Sequence, residues 1–328
     1  MIRVLMAALC LIALALISLF IGPRDIAFDS FAAALQAYDQ YDAEHVTLMQ
    51  IRLPRLWAAL IAGGALGVAA MVMQVVTRNP FADPGVLGIN AGAAFFLIVG
   101  TTLLGRADEA FVAVFAFPGA ALMALIVFAL GGGFLRDINP IRLVLAGVAV
   151  NALLASLLTA LVLLRQDSLD VMRFWVAGSL SQATTRPLFE MSLIALAGAS
   201  LAMALATRFE AFALGGDMSQ GLGVRPGRVL AGALIVVTLC AGAAVSVAGP
   251  IAFLGLIVPP IVRVLSPGDL RLGLLMSAVI GALILLFADV LGRVILSPLE
   301  VRAGIMTALL GTPLFLWVAR RMSPGQVS

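Results

Sequence analysis

The chain has 328 residues, of which 62% are hydrophobic and 11% charged, against roughly 25% charged in an ordinary soluble domain. That composition is the composition of a polytopic membrane protein. All twenty basic residues are arginine, which excludes a P-loop nucleotide site and a Schiff-base enzyme, since both need a lysine. The single histidine, His45, excludes a His-rich metal site, and a dispersed net charge of +3 excludes a nucleic-acid partner.

In chain order, the first apolar run covers about 4–22. Ile21-Gly22-Pro23-Arg24 is a poor cleavage site and many spans follow, so the run reads as a retained span rather than a signal peptide. Residues 23–55 form the longest polar segment, with Asp25, Asp29, Asp39, Asp42, Glu44 and His45. Arg52 and Arg55 then bracket Pro54, ahead of a second span at 56–76 whose single polar side chain is Gln74. An uncharged run of about twenty residues is enough to cross a hydrocarbon core of about 30 Å. The loop Arg78-Asn79-Pro80-Phe81-Ala82-Asp83-Pro84-Gly85 cannot be helical throughout, because each proline removes a donor and restricts its predecessor.

Further spans are expected at about 88–104, 110–131 and 142–164. In the polar stretch 165–187, residues 171–180 (VMRFWVAGSL) read as a short interfacial helix with Phe174 and Trp175 at headgroup level. The sixth span is about 188–207, and a loop at 208–228 separates it from the seventh at 229–248. Gly249-Pro250 breaks the seventh from an eighth at 251–265, which Pro259-Pro260 should kink or end. The ninth and tenth lie at about 272–292 and 300–319. Ten spans put both termini on one side of the membrane. With the termini inside, eleven arginines fall inside and nine outside, the sign of the positive-inside rule. Cys10 and Cys240 lie in apolar runs and read as packing residues, with no disulfide expected.

Polar groups at membrane depth are functional candidates. They are Gln74, Asn90, Asn151, Glu190 and Asp289. Asp289 sits one turn before Arg293 and reads as an i,i+4 pair, Glu190 as a solvated residue near a span end, and Asn151 as a bond to a neighbouring helix. No carboxylate near the midplane stands out, as an ion-coupled secondary carrier would need. Small-residue runs at 63–67, 92–94 and 241–244 allow close helix packing.

The block Arg52–Ala93 resembles the signature of the FecCD/BtuC family, the permease subunits of type II ABC importers for iron-siderophores, haem and cobalamin. Trp175–Leu180 (WVAGSL), Leu214–Val224 (LGGDMSQGLGV), Gly249–Pro259 (GPIAFLGLIVP) and Leu299–Pro313 (LEVRAGIMTALLGTP) are similar to further family blocks, in the same order. Residues 78–93 and 172–180 look most like ferric-enterobactin-type permeases.

The resemblance implies an all-α, BtuC-like permease of about ten transmembrane helices, a single domain over 1–328 with a cytoplasmic coupling loop at about 208–228. It implies an ATP-driven importer of an iron(III)-siderophore from periplasm to cytoplasm, multi-pass in the bacterial inner membrane with both termini cytoplasmic. Haem or cobalamin are alternative cargoes, and a secondary carrier is the competing class. The chain itself would be no enzyme and hold no cofactor, since separate ABC ATPase subunits bind ATP and Mg. A periplasmic binding protein and a second permease subunit, homologous or identical, would complete the assembly. Arg52 and Arg293 match positions that dock the binding protein, and Arg55 is a lesser candidate for the same role, with a structural role as its alternative. Arginines at span ends also snorkel to headgroups. Asn79, Pro80, Phe81 and Asp83 match the cytoplasmic gate, where Asp83 is expected to brace the loop through an Asx-type bond. Asp217, Ser219, Gly221, Leu222, Gly223 and Arg225 match the segment that couples to the ATPase, expected as two short helices around a tight turn. Pro260 departs from the family's usual histidine in V-P-H-x-x-R, while Arg263 is kept.

Overall fold

The structure is a computed structural model, and it describes residues 2–22, 26–104, 109–132, 140–164, 172, 175–221 and 223–321. Its helices are α1 (Ile2–Phe20), α2 (Phe28–Gln36), α3 (Ala43–Thr77), α4 (Ile89–Leu104), α5 (Glu109–Leu130), α6 (Pro140–Leu164), α7 (Leu188–Ala213), α8 (Gly216–Gly221), α9 (Pro226–Ala248), α10 (Leu254–Leu265), α11 (Leu270–Val294) and α12 (Ala303–Arg321). No strand occurs among the described residues. Six of these helices are long and apolar enough to cross a membrane, and four shorter apolar ones occupy the remaining expected spans.

The bundle is organised around α3, whose apolar window is 83% buried, against 11% for α1 and 17% for α7. It packs on α11, α9, α7 and α10. At 35 residues it is about 52 Å long, so it projects well beyond a hydrocarbon core of about 30 Å. The helix starts earlier than the hydropathy implies because Asp42 caps it, accepting from the Glu44 and His45 amides at 2.8 and 3.4 Å. A π-helical turn, Thr47–Arg52, interrupts it and ends on Arg52. Arg78, with φ +52°, closes it in a left-handed cap.

Small residues set the α3–α11 crossing. A Cβ on Gly63 would lie 2.5 Å from the Gly281 carbonyl oxygen, and one on Gly67 would run into the Ser277 carbonyl. Only hydrogen fits there, so the two backbones touch. The run at 92–94 is used in the same way, with Gly92 against the Gly119 carbonyl of α5. Gly242 lies against Phe117.

Three expectations change. The sixth span continues to Ala213, because Phe209 and Phe212 remain buried. The Pro259-Pro260 pair neither ends nor breaks α10, which runs on to Leu265. Pro259 has no N–H for the Gly255 carbonyl one turn back, and the Gln74 amide of α3 donates to that carbonyl instead at 3.2 Å. The lone polar residue of the second span thus stands in for a missing helix hydrogen bond. Trp175, expected as an exposed aromatic of an interfacial helix, is buried in the bundle at 5% exposure, because its backbone segment is pinned to α9 and α12 by bonds described below. Val171, Arg173 and Phe174 lie outside the described residues.

Candidate functional site

The two ends of α3 carry the candidate residues. At one end Arg52, Arg55 and Arg293 converge, with only 4%, 4% and 2% of each exposed. Asp289, fully buried on α11, lies between two of them. Arg55 Nε donates to both Asp289 oxygens at 2.9 and 3.0 Å, and its Nη2 lies 2.8 Å from Oδ1. From α11 itself, Arg293 Nε donates to Asp289 Oδ2 at 3.0 Å, joined by its Nη2. Arg55 Nη1 also reaches Glu300 Oε2 at 2.6 Å, and the Glu300 side chain is 33% exposed at the rim. The C-terminal carbonyls of α1 take the remaining donors, Leu19 from Arg52 at 2.6 Å and Ser18 from Arg293 at 3.0 Å.

The i,i+4 pair of Asp289 with Arg293 is therefore present, but it is half of a buried cluster. Sequence reasoning placed Arg52 and Arg293 at the surface, facing partner carboxylates or headgroups, and the structure turns them inward, while Arg55 takes the structural place that was its alternative. The physical reason is Asp289: a buried carboxylate needs charge and donors on every open lone pair. Arg55 is 234 residues away in sequence, and no local pattern links them. The other candidates are milder. Glu190 is exposed, and Asn151 donates to the Gly85 carbonyl at 3.4 Å.

At the opposite end, the loop after Arg78 is braced by two side chains. Asn79 Oδ1 accepts from the Phe81 amide at 2.9 Å, and Asp83 Oδ1 accepts from Gly85 at 2.7 Å. These are Asx-type turns, as expected for Asp83. Pro80 sits between them, and Pro84 begins a 3₁₀ turn, Pro84–Leu87. Phe81 stacks edgewise on Phe315 of α12, centroids 5.5 Å apart, and Phe315 on Phe253 at 6.5 Å. Burial pushes the Asp83 carboxyl above the usual carboxylate range, with the Gly85 N–H opposing.

At the same end, α7 leads into α8, one six-residue helix where two were expected among the described residues. Gly215 at φ +115° and Gly223 at φ +74° flank it, both in open space. Such angles strain any residue with a Cβ. Ser219 is fully buried, its N–H bonded to the Gly215 carbonyl at 2.8 Å, and Val224 N closes the turn onto Ser219 O at 3.0 Å. Gly221 and Arg225 are exposed. Leu222 and the Asp217 side chain lie outside the described residues.

Three distant sequence blocks meet between the ends. The Ser179 amide donates to the Ala248 carbonyl at 2.8 Å, and the Gly304 amide to Gly178 at 3.1 Å. Gly178, at φ +58°, lets the Pro250 carbonyl approach where a Cβ would collide. The Trp175–Leu180, Gly249–Pro259 and Leu299–Pro313 blocks are thus one packed knot.

Comparison with known proteins agrees with this layout. A model of the FecCD transport family matches residues 10–321. The ferric enterobactin transport system permease protein FepD of Escherichia coli is 37% identical over 321 residues, covering 97% of this chain and 94% of FepD. The iron(3+)-hydroxamate import system permease protein FhuB of Bacillus subtilis is 34% identical over 323 residues, 98% of this chain and 84% of FhuB. A solved metal-chelate type ABC transporter in an inward-facing conformation superposes with a TM-score of 0.80 at 25% identity, over 98% of this chain and 99% of that one. With a family match over nearly its whole length and the fold of its relatives, the chain is a multi-pass membrane protein that belongs to the FecCD transport family.

Proposed function

We propose that the chain is the permease subunit of an ATP-driven importer that moves an iron(III)-siderophore complex from periplasm to cytoplasm across a bacterial inner membrane. The observation that carries this reading is the separation of two distinct ends on a bundle of FecCD type. One end holds an arginine–carboxylate cluster, and the other holds a short helix held out between two left-handed glycines.

In this reading both termini are cytoplasmic. Asp217, Ser219, Gly221, Leu222, Gly223 and Arg225 form the contact with a separate ATPase, which binds the ATP and Mg. A six-residue helix anchored by buried Ser219 suits that task, because it moves as a unit with α7 and α9. Motion there reaches the loop of Asn79, Pro80, Phe81 and Asp83, which opens or closes the path. At the far end a periplasmic binding protein docks over Arg52, Arg55 and Arg293. Glu300 is the exposed carboxylate on Arg55, so a carboxylate of the binding protein can take its place on the same guanidinium. A second permease subunit, homologous or identical, encloses the path. The two carboxylates that a secondary carrier was expected to use do not suit it, since Asp289 is matched by Arg55 and Arg293 and Glu190 is exposed.

The test is co-purification of the tagged chain from its own host in mild detergent, beside a variant carrying Asp217→Ala and Arg225→Ala. Recovery of a P-loop ATPase with the native chain, and its loss in the variant, is the expected result. No ATPase under conditions that preserve a control importer would refute the importer reading.

A further inference from the structure

A cavity of about 790 Å³ opens at the α8 end of the bundle, between the end of α3, α10 and α12. It lies against the braced loop, with Pro80, Phe81 and Phe315 in its wall. Its volume falls in the range of small-molecule sites, about 300–1,000 Å³. Two of its lining residues are charged, and both are arginines, Arg78 and Arg263.

Each guanidinium is held in place by neutral groups. Arg263 Nη2 donates to Gln74 Oε1 at 2.7 Å, and Gln74 is itself buried and fixed by its bond to the Gly255 carbonyl. Arg78 Nη2 donates to the Phe212 carbonyl at 2.5 Å and stacks over the Phe212 ring, 5.2 Å from its centroid. Neither makes an ion pair among the described residues, in contrast to Arg55 and Arg293 at the other end. The carboxylates of the adjoining cavity, Glu210 and Asp269, accept from backbone amides of α11, Leu270 N to Glu210 at 2.6 Å and Arg271 N to Asp269 at 2.9 Å. The two guanidiniums are thus positioned by neutral groups and have no paired carboxylate among the described residues, which is how a site built for an anion differs from a structural salt bridge.

We propose that Arg78 and Arg263 are a specificity-determining cationic pair on the cargo path, selecting ferric chelates of net negative charge over neutral ones. The proposal rests on the permease reading and deepens it. Pro260 beside Arg263 carries no charge, so the charge on this wall is that of the two guanidiniums.

The experiment measures equilibrium binding of two probes to the full chain in lipid nanodiscs: a hexadentate trianionic ferric tris-catecholate, and a neutral ferric tris-hydroxamate bearing three phenyl groups. The probes share aromatic bulk and differ in charge. The native chain should prefer the trianionic probe by about tenfold or more. Arg78→Gln and Arg263→Gln should each lose most of that preference, and thermal unfolding of each variant beside the native chain reports that it is folded. Arg263→Lys should retain it in part, and salt should weaken it. Equal binding of the two probes by the native chain, or a preference unchanged in both glutamine variants, overturns the proposal while leaving the permease reading intact. Binding of neither probe likewise overturns the proposal, and the permease reading stands or falls on the co-purification test. A preference present in phosphatidylcholine discs but abolished by phosphatidylglycerol would assign the pair to lipid phosphate, and would likewise overturn it.

Discussion

Asp289 is the residue on which the arginine end depends. It is fully buried and faces two guanidiniums, so Asp289→Asn leaves two buried cations under-compensated. The expected cost is about 3–5 kcal/mol, seen as a lower unfolding temperature of the purified chain in detergent. Glu300→Gln removes an ion pair that is one-third exposed on one side, and should cost about 0–1 kcal/mol in the same assay. Gln74 carries a second load, since it satisfies the Gly255 carbonyl and orients Arg263. Gln74→Leu is close in volume but strands both, and should destabilise by about 1–3 kcal/mol. Asp83 has a pH signature. Its folded-state pKa is raised by burial, so the folded chain holds the proton more tightly than the unfolded chain. The stability it contributes is full below the ordinary carboxylate range and is lost as pH rises through the raised value. Asp83→Asn keeps an acceptor for the Gly85 amide, and should flatten that part of the stability–pH curve. A curve of unchanged slope would disprove the assignment.

At the scale of elements, the α3–α11 contact is decided by missing side chains. Gly67→Ala drives a methyl group into the Ser277 carbonyl, and both backbones must separate along the crossing. An expected loss of about 1–3 kcal/mol can be read by thermal unfolding against Gly221→Ala, which meets nothing within 4 Å. The latter should leave stability within about 0.5 kcal/mol and bear only on α8. The same comparison separates two uses of glycine here, close approach in the core and backbone freedom at Gly215 and Gly223.

For the whole molecule, the arrangement of ends predicts sidedness. Arg3 donates to the Leu265 carbonyl at 2.9 Å, and α12 passes Phe81 as it runs towards Arg321. The start of α1, the end of α12 and α8 therefore share one end, and Glu300 marks the other. In a background lacking Cys10 and Cys240, Gly221→Cys and Leu299→Cys should react with a membrane-impermeant maleimide from opposite faces of the membrane. Leu299 is 73% exposed, so reagent access is not limiting. Labelling of both from one face would contradict the proposed orientation of the bundle.

The all-helical membrane architecture, the apolar spans, the Asx turn at Asp83 and the family were all legible in the amino-acid order. These are local properties, because crossing a bilayer needs only about twenty contiguous apolar residues and a turn only a few. What stayed hidden depends on how helices are rotated against one another. Arg55 finds Asp289 across 234 positions, Gln74 replaces the proton that Pro259 lacks, and Trp175 is covered by segments from α9 and α12. A buried carboxylate or an orphaned carbonyl states only that a partner is required. Tertiary packing decides which one arrives, since the energy of an unmet buried group is satisfied by whichever neighbour the crossing angles bring within about 3 Å.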